Sequence, residues 1–122
     1  MITGLDHVQL AAQPGTEDAL RAFYGGLLGL TEIPEPPALA PRGGCWFEAG
    51  PAQLHLGIDP DHHPSAKAHL GLRVHGLAAR LTAAGAPVTW DDDLPGRCYT
   101  VDPAGNRLEL LEPVLRASGP DG

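Results

Sequence analysis

The chain has 122 residues, 43% of them hydrophobic, and a formal net charge of −7, with Lys67 as its single lysine. That length fits one compact domain with a sizeable core. The acidic balance disfavours a nucleic-acid or anionic-membrane surface, and no apolar run reaches the ~18 residues a membrane helix needs.

In chain order, residues 3–11 read as a strand. Thr16 is placed to cap a helix, with Glu17 and Asp18 in a first turn whose dipole favours acids. Leu20, Phe23, Tyr24 and Leu27 recur at helical spacing, Gly25 and Gly26 weaken the helix, and Gly29 stops it. A short strand is expected near residues 30–34. The proline-rich stretch 34–41 can be neither helix interior nor central strand, so it is a loop. Residues 44–49 and 52–58 form a hairpin around Gly50-Pro51, and a polar loop spans 59–66. The same order then recurs: a strand over 68–74, a helix from Leu77 to Ala84 ended by Gly85, and a short strand over 87–90. A second hairpin, 97–101 and 106–111, turns at Asp102-Pro103-Ala104-Gly105-Asn106, and residues 113–122 read as a frayed tail. The chain is therefore one domain, 1–122, built from two modules, 3–58 and 67–113.

Strand side chains alternate between faces, so an apolar row marks the covered face and its neighbours lie on the other. His7 lies opposite Val8 and Leu10, His55 opposite Leu54, Leu56 and Ile58, His69 opposite Leu70 and Leu72, and Glu109 opposite Leu108 and Leu110. Three imidazoles and a carboxylate are divalent-metal ligand types. The repeat pairs them: His7 and His69 hold one place in the first strand of each module, and His55 and Glu109 one place in the last.

The repeat, with the stretches Gly4-Leu5-Asp6-His7-Val8, Phe23-Tyr24 through Leu28-Gly29-Leu30, Ala68-His69-Leu70-Gly71-Leu72 and Asp102 to Leu110, resembles the vicinal oxygen chelate superfamily. That superfamily includes glyoxalase I, fosfomycin-resistance thiol transferases, extradiol dioxygenases and bleomycin-sequestering proteins. The resemblance covers residues 3 to about 113. It implies an α+β fold of two βαβββ modules in tandem, forming a cleft lined by curved mixed sheets. It also implies that His7, His69 and Glu109 bind a divalent ion (Zn, Ni, Mn, Co or Fe), that His55 stands where glyoxalase I commonly has Glu, and that two chains pair as a homodimer with ligands from both at one site. Three neutral histidines and one carboxylate leave a bound dication with net positive charge, where two carboxylates would leave none. His55 also replaces a carboxylate able to act as base.

The activity expected from the resemblance is that of a glyoxalase-like, metal-dependent lyase or isomerase. Its small vicinal-oxygen substrate would react through a stabilised enediolate, with Glu109 the catalytic base. The alternatives are an extradiol-type non-haem iron(II) dioxygenase, and a thiol transferase or antibiotic-resistance binding protein of the same fold.

Other residues have plainer readings. Gln9, Gln53, Arg73 and Arg107 share the ligand faces and line either a pocket or a solvated surface. Trp46, Phe47 and Tyr99 read as core or interface, with a pocket wall as the alternative, and Arg42 and Arg97 as solvated rim rather than anion contacts. His62 and His63 lie in a solvated loop, Asp91-Asp92-Asp93 in a solvated turn, and Gly43-Gly44 lacks the strand-to-helix context of a phosphate loop. Cys45 and Cys98 read as reduced strand residues. Met1 to Asp6 shows no basic-then-apolar leader, so a cytoplasmic setting is expected.

Overall fold

The computed structural model describes residues 1–114. By contacts the described residues divide into two compact units: Met1–Ala66 with Asp102–Asn106, and Lys67–Val101 with Arg107–Val114.

The first unit runs β1 (His7–Ala12), α1 (Glu17–Leu20), β2 (Thr31–Ile33), β3 (Cys45–Ala49) and β4 (Ala52–Ile58). Its sheet has the order β1-β4-β3-β2, with β1 parallel to β4 and the other pairs antiparallel. α1 continues directly into a π-helical segment, Arg21–Leu27, where Leu28 N–H reaches the Phe23 carbonyl at 2.8 Å. The widened turn falls on Gly25-Gly26, the pair expected to weaken the helix. Thr16 occupies the N-cap, but its hydroxyl donates back to the Gln13 carbonyl (2.6 Å) and caps no helical N–H. Leu20, Phe23 and Tyr24 are buried, as are Cys45, Phe47, Leu54 and Leu56. Phe47 is core, and its ring lies 5.7 Å from that of Tyr24.

The second unit repeats the plan: β5 (His69–Arg73), α2 (Leu77–Ala83), β6 (Thr89–Trp90), β7 (Arg97–Val101) and β8 (Arg107–Leu111), in the order β5-β8-β7-β6. Its core holds Ala78, Leu81, Cys98, Leu108 and Leu110. The expected elements are present in both units, but strands begin later than the residue pattern proposed: β1 at His7 and not at residue 3, β6 at Thr89 and not at 87. A ladder bond partner, which sequence periodicity does not register, sets these starts. Of the expected tail, residues 115–122 lie outside the described residues. No helix among the described residues is long and apolar enough to cross a membrane.

Two local features fix the first unit. Gly44 adopts φ +92°, and a Cβ there would overlap the Leu56 carbonyl oxygen, so glycine is required where the chain enters β3. The buried Asp102 carboxylate is fully engaged. Its Oδ1 accepts Ala104 and Asn106 N–H (2.8 and 2.9 Å), and its Oδ2 accepts the Tyr24 hydroxyl (2.6 Å) and the Asn106 amide (2.9 Å). The Asn106 amide also donates to the Ala11 carbonyl at 2.8 Å. Burial, then the adjacent Asp102 charge, raises the Tyr24 phenol far above its usual range, so it remains a donor.

Removing that hydroxyl leaves a buried carboxylate short of one bond. Tyr24→Phe is expected to lower unfolding stability by about 2 kcal/mol in urea titration, the scale of a hydrogen bond to a charged group. A loss under roughly 0.5 kcal/mol, the range of ordinary surface substitutions, would show that this bond contributes little.

Candidate metal-ligand faces

Pairing register places the ligand-type residues. In the first unit His7 pairs with Gln53 and Gln9 with His55, so His7 and His55 are diagonal neighbours on one face. In the second unit His69 pairs with Arg107 and Gly71 with Glu109, the same register with the same diagonal. The antiparallel partner of the last strand also corresponds: Trp46 is opposite His55, and Tyr99 opposite Glu109. Each unit thus presents two ligand types and one aromatic ring on the face away from its helix.

In the first unit the rings stack. Trp46 lies 3.6 Å from His55 at an interplanar angle of 5°, and His55 lies 4.3 Å from His7 at 17°. This sandwich buries His55 to 4% exposure although it lies opposite the apolar row of its strand. His7 Nδ1–H donates to Asp6 Oδ2 (2.8 Å), which leaves Nε2 as the lone-pair nitrogen. His55 Nε2–H donates to Gln53 Oε1 (2.9 Å), which leaves Nδ1. Burial, followed by the neighbouring His7, lowers the His55 pKa and favours neutral imidazole, the form that binds metals.

In the second unit His69 Nδ1–H donates to the Lys67 carbonyl (2.9 Å), leaving Nε2 3.8 Å from Glu109 Oε2. Two ligands of one ion at bonds near 2.1 Å sit roughly 3.0–3.5 Å apart, so this pair is close to chelating spacing. Glu109, 8% exposed, accepts the Tyr99 hydroxyl on Oε1 (2.8 Å) and faces Arg97 Nη1 from Oε2 (3.5 Å). The Tyr99 hydroxyl also lies 3.2 Å from Asp91 Oδ2, and the Arg107 guanidinium sits 4.3 Å above the Tyr99 ring. The bond to Glu109, together with partial desolvation, pushes the Tyr99 pKa up to about 12.

Each unit therefore offers two donors, and among the described residues no cluster of three or more His, Cys, Asp or Glu has metal-binding geometry. The donors fit a divalent ion: His7 and His69 each keep Nε2 free with Nδ1 anchored, the usual outer support of a metal-bound imidazole. His55 offers only Nδ1 while Gln53 holds its other nitrogen.

A cavity of about 220 Å³ in the first unit is lined by Gln9, Glu35, Arg42, Trp46 and Ile58, among others. Gln9 and Trp46 belong to the ligand face, so this cavity adjoins His55. Burial raises the Glu35 pKa.

Several other sequence readings resolve here. Arg97, read as solvated rim, is a Glu109 neighbour. Arg42 lines the cavity. Asp91 organises its turn by accepting Asp93 and Leu94 N–H (2.8 and 2.9 Å). His62 is anchored to the Ala104 carbonyl at 3.2 Å. Cys45 and Cys98 are free thiols in the cores, and burial raises both pKa values, Cys45 to about 11. Sequence reasoning missed the roles of Trp46 and Tyr99. The available signal was their matched place immediately after each buried cysteine, between two buried positions and so on the opposite face of the strand.

Against this geometry the family assignment is direct. A glyoxalase-like domain model matches residues 9–111. The structure of a glyoxalase family protein from Bacillus anthracis is 40% identical, over 93% of this chain and 98% of that one, with a TM-score of 0.88. The chain belongs to the glyoxalase-like domain family, within the vicinal oxygen chelate superfamily. Two more distant structures share the fold alone. Lactoylglutathione lyase from Agrobacterium tumefaciens is 22% identical, over 91% of this chain and 94% of that one, with a TM-score of 0.65. A Glu-to-Gln mutant of the fosfomycin resistance protein from Listeria monocytogenes, complexed with Mn(II) and a dihydroxypropylphosphonic acid, is 17% identical, over 94% and 95%, with a TM-score of 0.75. No curated protein sequence matches the chain.

The lowered His55 pKa has a sign. A group whose base form is favoured on folding contributes stability that is present above its unfolded pKa, about 6.5, and is lost as pH falls below it. Metal-free protein is expected to lose unfolding free energy as pH falls below about 6.5, and His55→Gln to lose less. Equal pH slopes for the two proteins would show that His55 does not titrate as its burial requires.

Proposed function

We propose that the protein is a divalent-metal-dependent lyase or isomerase of the glyoxalase type, acting on a small substrate with oxygens on adjacent carbons. The observation that carries this reading is the repeated pair of ligand types on matched strands, His7 with His55 and His69 with Glu109, each pair on the face away from its helix. Two donors make half a coordination sphere. A homodimer completes it, the first unit of one chain supplying one pair and the second unit of its partner the other. In this arrangement His7 and His69 would bind through Nε2, Glu109 through Oε2, which would turn from Arg97 to the ion, and His55 would be the fourth ligand through Nδ1.

When bound, the ion would polarise the substrate oxygens and stabilise the oxyanion that develops between them. The remaining steps belong to the chain. Glu109, once its Oε2 is released from the ion, would accept the proton from the carbon beside the carbonyl on that oxygen and return it to the neighbouring carbon. Tyr99 and Arg97 hold that carboxylate in place. The cavity under Trp46 and Gln9 seats the substrate body, with Arg42 at its wall. As a fourth ligand His55 would take a position that an iron oxygenase keeps for O₂, so the Fe(II)-loaded protein should show only background oxygen uptake.

Elemental analysis of protein purified without chelators is expected to find about one divalent ion per chain. His69→Ala should weaken metal binding more than roughly tenfold, more than loss of a supporting residue does. Metal-free wild-type protein that binds no added Zn(II), Ni(II), Co(II) or Mn(II), or unaltered affinity in His69→Ala, would overturn the proposal.

A further inference from the structure

We propose that the aromatic residue facing the second ligand across the sheet, Tyr99 for Glu109 and Trp46 for His55, is the positioning residue that sets that ligand's orientation. This rests on the metal-binding reading above and adds what holds the ligands before metal arrives.

The two units reach the same end by different chemistry at one register position. Tyr99 pairs with Glu109, and Trp46 pairs with His55. A carboxylate can be fixed by a donor, and Tyr99 donates to Oε1 at 2.8 Å. Oε1 is thereby occupied and Oε2 is turned toward His69 Nε2 (3.8 Å), the direction a one-oxygen ligand needs. An imidazole is fixed by its ring plane, and Trp46 lies against His55 at 3.6 Å and 5°. That stack, with His7 on the other side, leaves in-plane rotation as the ring's main freedom, and the Gln53 bond stops it.

Tyr99 is itself fixed from three directions. Asp91 Oδ2 lies 3.2 Å from its hydroxyl, the Arg107 guanidinium sits 4.3 Å over its ring, and the His69 ring approaches edge-on at 6.3 Å. Arg107 adjoins His69 in the ladder, so the residue that clamps Tyr99 also flanks the first ligand of the unit. A phenol held this way costs little ordering when the ion binds. Without its hydroxyl, Glu109 would be free to turn either oxygen toward Arg97, 3.5 Å away.

The test is Co(II) titration of the metal-free protein by visible absorption, with Zn(II) titration by calorimetry, for wild type, Tyr99→Phe, Trp46→Phe, Trp46→Ala and His69→Ala. Tyr99→Phe keeps the ring under Arg107 and removes only the donor. It is expected to weaken affinity roughly 10- to 100-fold and to shift the Co(II) d–d bands. Trp46→Phe should stay near wild type, because a ring still covers His55, whereas Trp46→Ala should weaken binding. Thermal unfolding of the metal-free variants separates folding defects from ligand disorder, since a structural loss would not alter the Co(II) spectrum of the folded fraction. Wild-type affinity and spectrum in Tyr99→Phe, with binding lost in His69→Ala, would overturn the positioning role alone. Unchanged binding in His69→Ala would overturn the metal reading and this inference with it.

Discussion

In each unit the first strand runs parallel to the last, and the register of that ladder decides which side chains meet. His7 opposite Gln53 and His69 opposite Arg107 are the same offset, so each first-strand histidine falls diagonally beside the second ligand type of its unit. A slip of one residue would turn that ligand to the helix-covered face and bring leucines out. The leucines oppose this: Leu54, Leu56, Leu108 and Leu110 are all buried, and each slip would expose a pair of them. Hydrophobic burial on one face thus fixes the chemistry on the other.

The repeated backbone carries two different half-sites. The first is aromatic and nitrogen-rich, a stack of Trp46, His55 and His7. The second is ionic, with Glu109 among Tyr99, Arg97 and His69. In the proposed ligand set His55 stands where glyoxalase I commonly has Glu, so Glu109 is its single carboxylate and would have to serve as both ligand and base. That set also leaves a bound dication with net positive charge, which favours anionic oxygen groups on the substrate.

Much of this was legible in the sequence because it rests on period-two alternation and on punctuation by glycine and proline. Among the described residues the eight strands, α1 and α2, and the faces of His7, His69 and Glu109 follow from those signals. The strand starts did not, since β1 and β6 begin where a ladder partner begins. The burial of His55 was also hidden, because it depends on Trp46 arriving from a neighbouring strand. The Tyr24–Asp102–Asn106 network was out of reach for the same reason: Asp102 reads as a turn residue, while its partner Tyr24 lies 78 positions away. Arg97 looked like rim because its ladder partner is Leu111, and its contact with Glu109 is a diagonal one.

The central claim is that matched histidines and Glu109 hold one ion, and X-ray absorption at the metal edge of the loaded protein tests it most directly. The account predicts a shell of nitrogen and oxygen at about 2.0–2.2 Å, with the outer-shell scattering of at least two imidazoles, reduced by one imidazole in His69→Ala. An all-oxygen shell without imidazole scattering, or a shell identical in His69→Ala, would contradict it.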